Sequence, residues 1–274
     1  MGSPIAGFAE SYLFPTEVLP VGKIDVLALI QKNTIAKNVS GDIVGVPLKI
    51  EQQRDTVTEY VGVRYGLLPN LQIGIETSYR SQDELKTESR PGSALMGGNK
   101  EKSDGANNLG LFARYRLLNQ LDPRFSLVAN AGVEADTANR NYTALNLGLT
   151  GGWRFNDAIR GYAGYSAFLS DEDTLSSSHS LLTGVYIQVN PVITLVPQYR
   201  FTRYEEAHFH SFTRAPTRDG QSISLAVHVR VLPNSYLIPY AGFDYLEGYK
   251  DDLNIKNHDS HDGMNYGLSF YHVF

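Results

Sequence analysis

Apolar and polar side chains alternate with a period of two in this chain, and a turn interrupts the pattern at regular intervals. No other feature constrains the fold as much. Residues 57–80 show the unit. Val57, Val61, Val63 and Tyr65 share one face, with Glu59 the exception, while Thr58, Tyr60, Gly62 and Arg64 share the other. A Leu-Leu-Pro-Asn turn follows, and then Leu71, Ile73, Ile75, Thr77 and Tyr79 oppose Gln72, Gly74, Glu76, Ser78 and Arg80. Successive side chains on a strand point to opposite faces, so this is a hairpin with one apolar face.

The unit recurs at 108–117 with 125–135, at 142–154 with 159–169, at 179–188 with 192–203 and at 220–231 with 235–247. One strand over 22–34 precedes these hairpins, and the last dodecapeptide, Gly-Met-Asn-Tyr-Gly-Leu-Ser-Phe-Tyr-His-Val-Phe, closes the series. The count is about twelve strands, each of about ten residues, which matches the length and even number of a transmembrane barrel. Connections also alternate. Those at 66–70, 118–124, 155–158, 189–191 and 232–234 are short, whereas at the other end 38–53, 81–106, 170–178, 204–219 and 248–262 are longer and polar and only 136–141 is short. No stretch has helical periodicity, so the fold class is all-β.

A soluble β-sandwich would bury the apolar face, and alternation alone does not distinguish it from a membrane barrel. Loop asymmetry and aromatic placement favour the barrel. Tyr65, Tyr115, Phe125, Trp153 and Phe155 lie at strand ends beside the short turns, and Tyr79 beside a long loop, as two interfacial girdles require. The expected architecture is a closed antiparallel barrel over 22–274. The segment 1–21 either hangs in the periplasm or plugs the lumen. Composition agrees. There is no uninterrupted apolar run long enough for a membrane helix. The net charge of -5 and the lack of a basic run argue against a nucleic-acid binder. Cysteine is absent, which fits an oxidising compartment. No signal peptide is visible, and Met1-Gly2-Ser3 reads as a scar left after one was removed.

The terminal Phe274, with apolar residues alternating before it, resembles the C-terminal signature that bacterial outer-membrane proteins present to the barrel-assembly machinery. Phe274 is thus expected as the last outward residue of the closing strand. The segment Arg-Tyr-Gly-Leu-Leu-Pro-Asn-Leu-Gln-Ile-Gly-Ile at 64–75 resembles a motif of the outer-membrane transporter family named "MetA-pathway of phenol degradation". Val18–Lys23 looks like that family's lead-in to its first strand, and Pro197–Phe201 is also similar. The resemblance implies a porin-like channel in a Gram-negative outer membrane, passing aromatic or other small hydrophobic solutes. It brings no site residues and no cofactor.

On the polar face, Arg64, Arg116, Arg154, Arg160 and Arg230 fall near short turns, with Lys23 at similar depth and Arg200 further along its strand. Short turns are periplasmic in such barrels. A basic belt is therefore expected at the periplasmic mouth, with Glu76, Glu134 and Asp244 higher in the lumen. The belt either selects anionic solutes or crosslinks the wall through ion pairs with those carboxylates. Inward Phe112, Tyr162, Phe168, Tyr186, Tyr236 and Tyr240 narrow the bore. His208, His210, His258 and His261 lie on neighbouring loops and are weak candidates for a metal site. For hydrolysis, His228 shares a face with Ser224, but Asp244 should pair near Ser222, about 20 Å along the strand, so no triad forms. The sequence therefore supports a non-enzymatic outer-membrane channel for small solutes, with outer-membrane lipid, lipopolysaccharide and the assembly machinery as partners. A closed structural barrel and a lipid-modifying enzyme are the rival readings.

Overall fold

The computed structural model describes residues 13–43, 46–89, 96–118, 124–136, 143–172, 175–210, 213–250 and 256–274. In chain order the strands are β1 (Ile24–Ile43), β2 (Val46–Leu68), β3 (Leu71–Ser89), β4 (Met96–Leu118), β5 (Phe125–Asp136), β6 (Thr143–Arg154), β7 (Ile159–Ser170), β8 (Ser178–Gln188) and β9 (Ile193–Tyr204). They continue with β10 (Ala207–His210), β11 (Thr213–Ala215), β12 (Arg218–Leu232), β13 (Ser235–Leu246), β14 (Tyr249–Lys250), β15 (Lys256–His258) and β16 (His261–Val273). Nine staves, β1 to β9, are joined by β12, β13 and β16 into a closed antiparallel barrel of twelve. Closure is made by β1 against β16, from Asp25↔Val273 to Ala36↔Asp262. Each of the twelve staves then has a paired neighbour on both sides, the condition for a sheet to stand in a bilayer. The described residues include no helix.

The short turns and both β1 and β16 termini share one end, where Phe274 N–H donates to the Ile24 carbonyl at 2.8 Å. The barrel starts at Ile24, two residues after the expected boundary, because Lys23 still belongs to a turn: its N–H donates to Pro20 O at 3.1 Å. Gly22, at φ 80°, occupies the third position of that turn, where a left-handed backbone is needed. At the other end the strands run further than expected. The polar stretches at 38–53 and 81–106 are largely strand, paired from Ile43↔Val46 onward and from Glu88↔Met96 onward. Strand pairing needs only backbone donors and acceptors. Apolar alternation fades once both faces of a hairpin are polar, and with it the sequence signal.

The apolar face points outward. Ile75, Leu111, Val133, Leu147, Leu149, Leu181, Ile223 and Leu268 are all exposed. Tyr65, Tyr115, Trp153 and Phe155 are exposed at the short-turn end, and Tyr79 and Tyr245 toward the long-loop end. Phe125 is half-buried, edge-on to Trp153 at 5.4 Å. This inverted pattern is that of a barrel solvated by hydrocarbon. On β6, Leu147 faces out and Asn146 faces in. Leu147→Arg is expected to cost about 2–4 kcal/mol, the depth-dependent cost of a cation on the lipid face, and Asn146→Arg distinctly less. Urea titrations of protein folded into vesicles check the pair, and the reverse order would mean that this strand's register is off by one.

Candidate functional site: a lumen closed by the lead-in to the first strand

Residues 13–19, Leu-Phe-Pro-Thr-Glu-Val-Leu, are too apolar to lie free in water. They enter the lumen at the short-turn end. Phe14, Val18 and Leu19 are buried there, Leu19 completely. Phe14 packs edge-on against Tyr186 at 5.0 Å and Tyr162 at 6.0 Å, and the Arg160 guanidinium lies 5.7 Å from its ring. Leu19 joins Tyr236, Ile238, Tyr271 and Val273 in a second cluster. The inward tyrosines thus narrow the bore by gripping the lead-in. Several of its backbone polar groups find partners there. Leu19 N–H donates to Gln72 Oε1 at 3.0 Å, Tyr186 O–H donates to Leu13 O at 3.0 Å, and Arg114 donates to Pro15 O. Thr16 and Ser126 share a hydroxyl–hydroxyl bond.

The charges follow the same plan. Arg64 and Arg116 meet carboxylates other than Glu76, Glu134 and Asp244. Glu17, on the lead-in, accepts from Arg116 at 3.2 Å and sits 3.5 Å from Arg160. Asp25, at the first inward position of β1, is fully buried and takes both a charge-assisted fork from Arg64 and the Tyr271 hydroxyl, the latter at 2.7 Å. The carboxylates higher in the lumen accept from neutral donors. Tyr60 donates to Glu76 at 2.6 Å, Asn146 to Glu134 at 3.3 Å, and Asn265 to Asp244 at 2.5 Å. The reason is depth: Glu76, Glu134 and Asp244 lie farther from the short turns than the belt, while Glu17 and Asp25 come in at its level. The short-turn mouth holds a cavity of about 220 Å³ beside Arg116, Arg124, Arg154, Arg160 and Trp153.

On the long-loop side of the lead-in lies a larger chamber of about 450 Å³. Its floor is apolar, from Leu13, Leu27, Leu182, Ala226 and Ile238, and its walls carry Gln198, Arg200, Ser222, Ser224, Asp244 and Asn265. Arg200, expected inward and further along its strand than the belt, is exposed to the lumen and makes no ion pair among the described residues. Arg230 faces inward opposite Tyr236.

Above the apolar belt, Arg218 lies 5.6 Å from the Tyr204 ring and 5.5 Å from that of Tyr249, which stacks on His258 at 4.3 Å. Burial, and then the cations Lys37, Arg218 and Arg54, push the His261 imidazole down to about 4, so it adds no positive charge at this end near neutrality. The described residues bring together no group of three metal-ligating side chains. The side chains of His208 and His210 lie outside the described residues. His228 is buried edge-on to Tyr186 at 5.3 Å, and Asp244 registers with Ser222, keeping acid and imidazole apart.

Sequence reasoning missed Glu17, Asp25, Gln72 and Tyr271 as parts of the site. Asp25 carried a signal, a lone acid between Ile24 and Val26 at an inward position. Glu17 had none, because the lead-in has no periodicity to read.

No protein-family model matches the chain, and no curated protein does. Among solved structures it is similar to an outer membrane channel from Pseudomonas putida F1, with a TM-score of 0.60 and 15% identity over 95% of this chain and 98% of that one. It is also similar, more distantly, to the KdgM porin (TM-score 0.49, 8% identity, 88% and 99% covered) and to the outer membrane protease OmpT of Escherichia coli (TM-score 0.47, 12% identity, 94% and 100% covered). At such identities the likeness speaks to architecture, and the architecture is that of the outer-membrane β-barrels.

Proposed function

We propose that the protein is a channel in the bacterial outer membrane for small solutes, closed at its periplasmic end by residues 13–19. One observation carries this reading. The chamber, with its polar walls, lies on the long-loop side of the lead-in, and among the described residues the segment packed into the lumen at the other end stands outside the barrel's own hydrogen-bonded staves. A purely structural barrel would be expected to fill its bore from its own wall. The exposed apolar belt would face outer-membrane lipid and lipopolysaccharide, and the outward Phe274 would be offered to the assembly machinery. The resemblance of residues 64–75 to the phenol-degradation transporter family supports aromatic or small hydrophobic solutes.

Planar-bilayer recording tests the reading. Discrete openings are expected once the lead-in is displaced, and their absence in a folded, lead-in-free barrel would favour the closed structural reading. The open state should also prefer anions, because leaving takes Glu17 from Arg116 and Arg160 and uncovers positive charge at a constriction. Reversal potentials should show that preference weakening from 0.1 M to 1 M salt, as the Debye length falls from about 10 Å to about 3 Å. A cation-preferring open state would contradict it.

A further inference from the structure

We propose that the lumen chamber is a binding site for a small amphipathic monocarboxylate, held with its carboxylate on Arg200 and its apolar body on the floor of Leu13, Leu27, Leu182, Ala226 and Ile238. The proposal builds on the channel reading, since it names the class of solute the lumen would hold. The chamber, at about 450 Å³, is of the size that small-molecule sites take.

Arg200 is the anchor. Its guanidinium is a planar fork that matches a carboxylate with two parallel hydrogen bonds. It is exposed in the wall and unpaired among the described residues. The nearest inward acid by register is Asp244: Arg200 pairs with Ser222, and Ser222 with Asp244, so two strand spacings of about 4.8 Å separate their backbones. Asp244 takes its hydrogen bond from Asn265 on the strand beyond, on the side away from Arg200. The cation is therefore left for a ligand, and Gln198, Ser222 and Ser224 supply further polar contacts beside it.

The remainder of the ligand is fixed by what lies next to that cation. Leu182 is the residue directly opposite Arg200 on the neighbouring strand, and Ala226, Ile238 and Leu27 extend the apolar surface. One cation with a carboxylate two strands away suits a single negative charge and disfavours a dianion, and the floor suits an uncharged body. Acetate fits the first condition and not the second, and a neutral amide fits the second and not the first. Leu13 belongs to the lead-in, so the bound solute would rest partly on the segment that closes the channel.

The test is calorimetric titration of the full-length protein in detergent with benzoate, benzamide and acetate as probes. Benzoate should bind wild type at least tenfold more tightly than either of the others. Arg200→Gln should remove the advantage over benzamide, and Asp244→Asn, which deletes the nearby negative charge, should tighten benzoate binding a few-fold. Gel mobility with and without boiling confirms that each variant is folded. Equal affinity of wild type for benzoate and benzamide would overturn the proposal without recourse to any variant, as would benzoate binding that survives Arg200→Gln or that Asp244→Asn weakens. Channel and site fail separately. Benzoate binding to a barrel that never conducts would sink the channel and leave the site. Conductance without benzoate binding would do the reverse.

Discussion

Gly66→Val should turn a quiet barrel into a conducting one. Gly66 lies on β2 directly beneath the lead-in, clamped on both sides by backbone. Its N–H donates to Lys23 O and its carbonyl accepts from Gly22 N–H, each at 2.9 Å. A side chain there would run into the Pro20 carbonyl oxygen and would come 2.7 Å from that of Leu19. These obstacles are backbone, not the ends of flexible side chains, so relaxation by a few tenths of an ångström does not relieve them. The lead-in must leave. What holds it is the burial of Phe14, Val18 and Leu19, each worth about 1.5–3 kcal/mol, plus its hydrogen bonds and the Glu17 contacts. Spontaneous opening of wild type should therefore be rare, and the variant's open probability should rise by at least tenfold in planar bilayers. Limited proteolysis gives the independent readout: residues 13–19 should become cleavable in the variant while the staves stay protected. A variant with cleavable lead-in and no conductance would show that the lumen is closed elsewhere.

Asp25→Asn should destabilise the barrel by about 3–5 kcal/mol, the cost of orphaning one member of a buried ion pair. The Asp25 side chain is fully buried and that of Arg64 is 14% exposed, so little water reaches either charge. Asparagine keeps the shape and the Tyr271 contact but leaves the guanidinium without its counter-charge. Arg64→Gln on the same background should recover part of the loss, because a neutral pair no longer carries a desolvated cation. Tyr271→Phe alone should cost only about 1 kcal/mol. Denaturant midpoints of folded and refolded protein in vesicles measure all four states. A loss below about 1 kcal/mol for Asp25→Asn would mean that water or another group replaces the pair.

The barrel itself was legible because a lipid-facing wall imposes period two with few exceptions. Phe274, Phe270, Leu268 and Met264 point outward as the alternation of the last twelve residues requires. The hairpin extensions at 38–53 and 81–106 were not legible, since polar residues on both faces leave no alternation to detect. The lumen was legible by parity but not by partner. Arg64, Arg116 and Arg160 share the polar face, yet which carboxylate each one meets depends on how strand stagger sets relative depth and on where an aperiodic segment comes to rest. Glu17 lies 99 residues from Arg116 in sequence, and only the folded barrel brings them together.

That separation also orders events along the folding path. The lead-in's hydrogen bonds reach across 53 residues to Gln72, 110 to Ser126 and 173 to Tyr186, and its junction with the wall depends on a contact 246 residues away, Tyr271 to Asp25. Such long loops are closed late, because their entropy must be overcome before any contact rewards it. No half-built sheet offers the lead-in both of its pockets: Tyr162 and Tyr186, around Phe14, stand on β7 and β8, while Leu19 rests on β13 and β16. The lead-in, although it precedes every strand in the chain, can therefore settle fully only after the last strand has zipped onto the first. Each barrel is expected to complete its wall before the lead-in seals the bore.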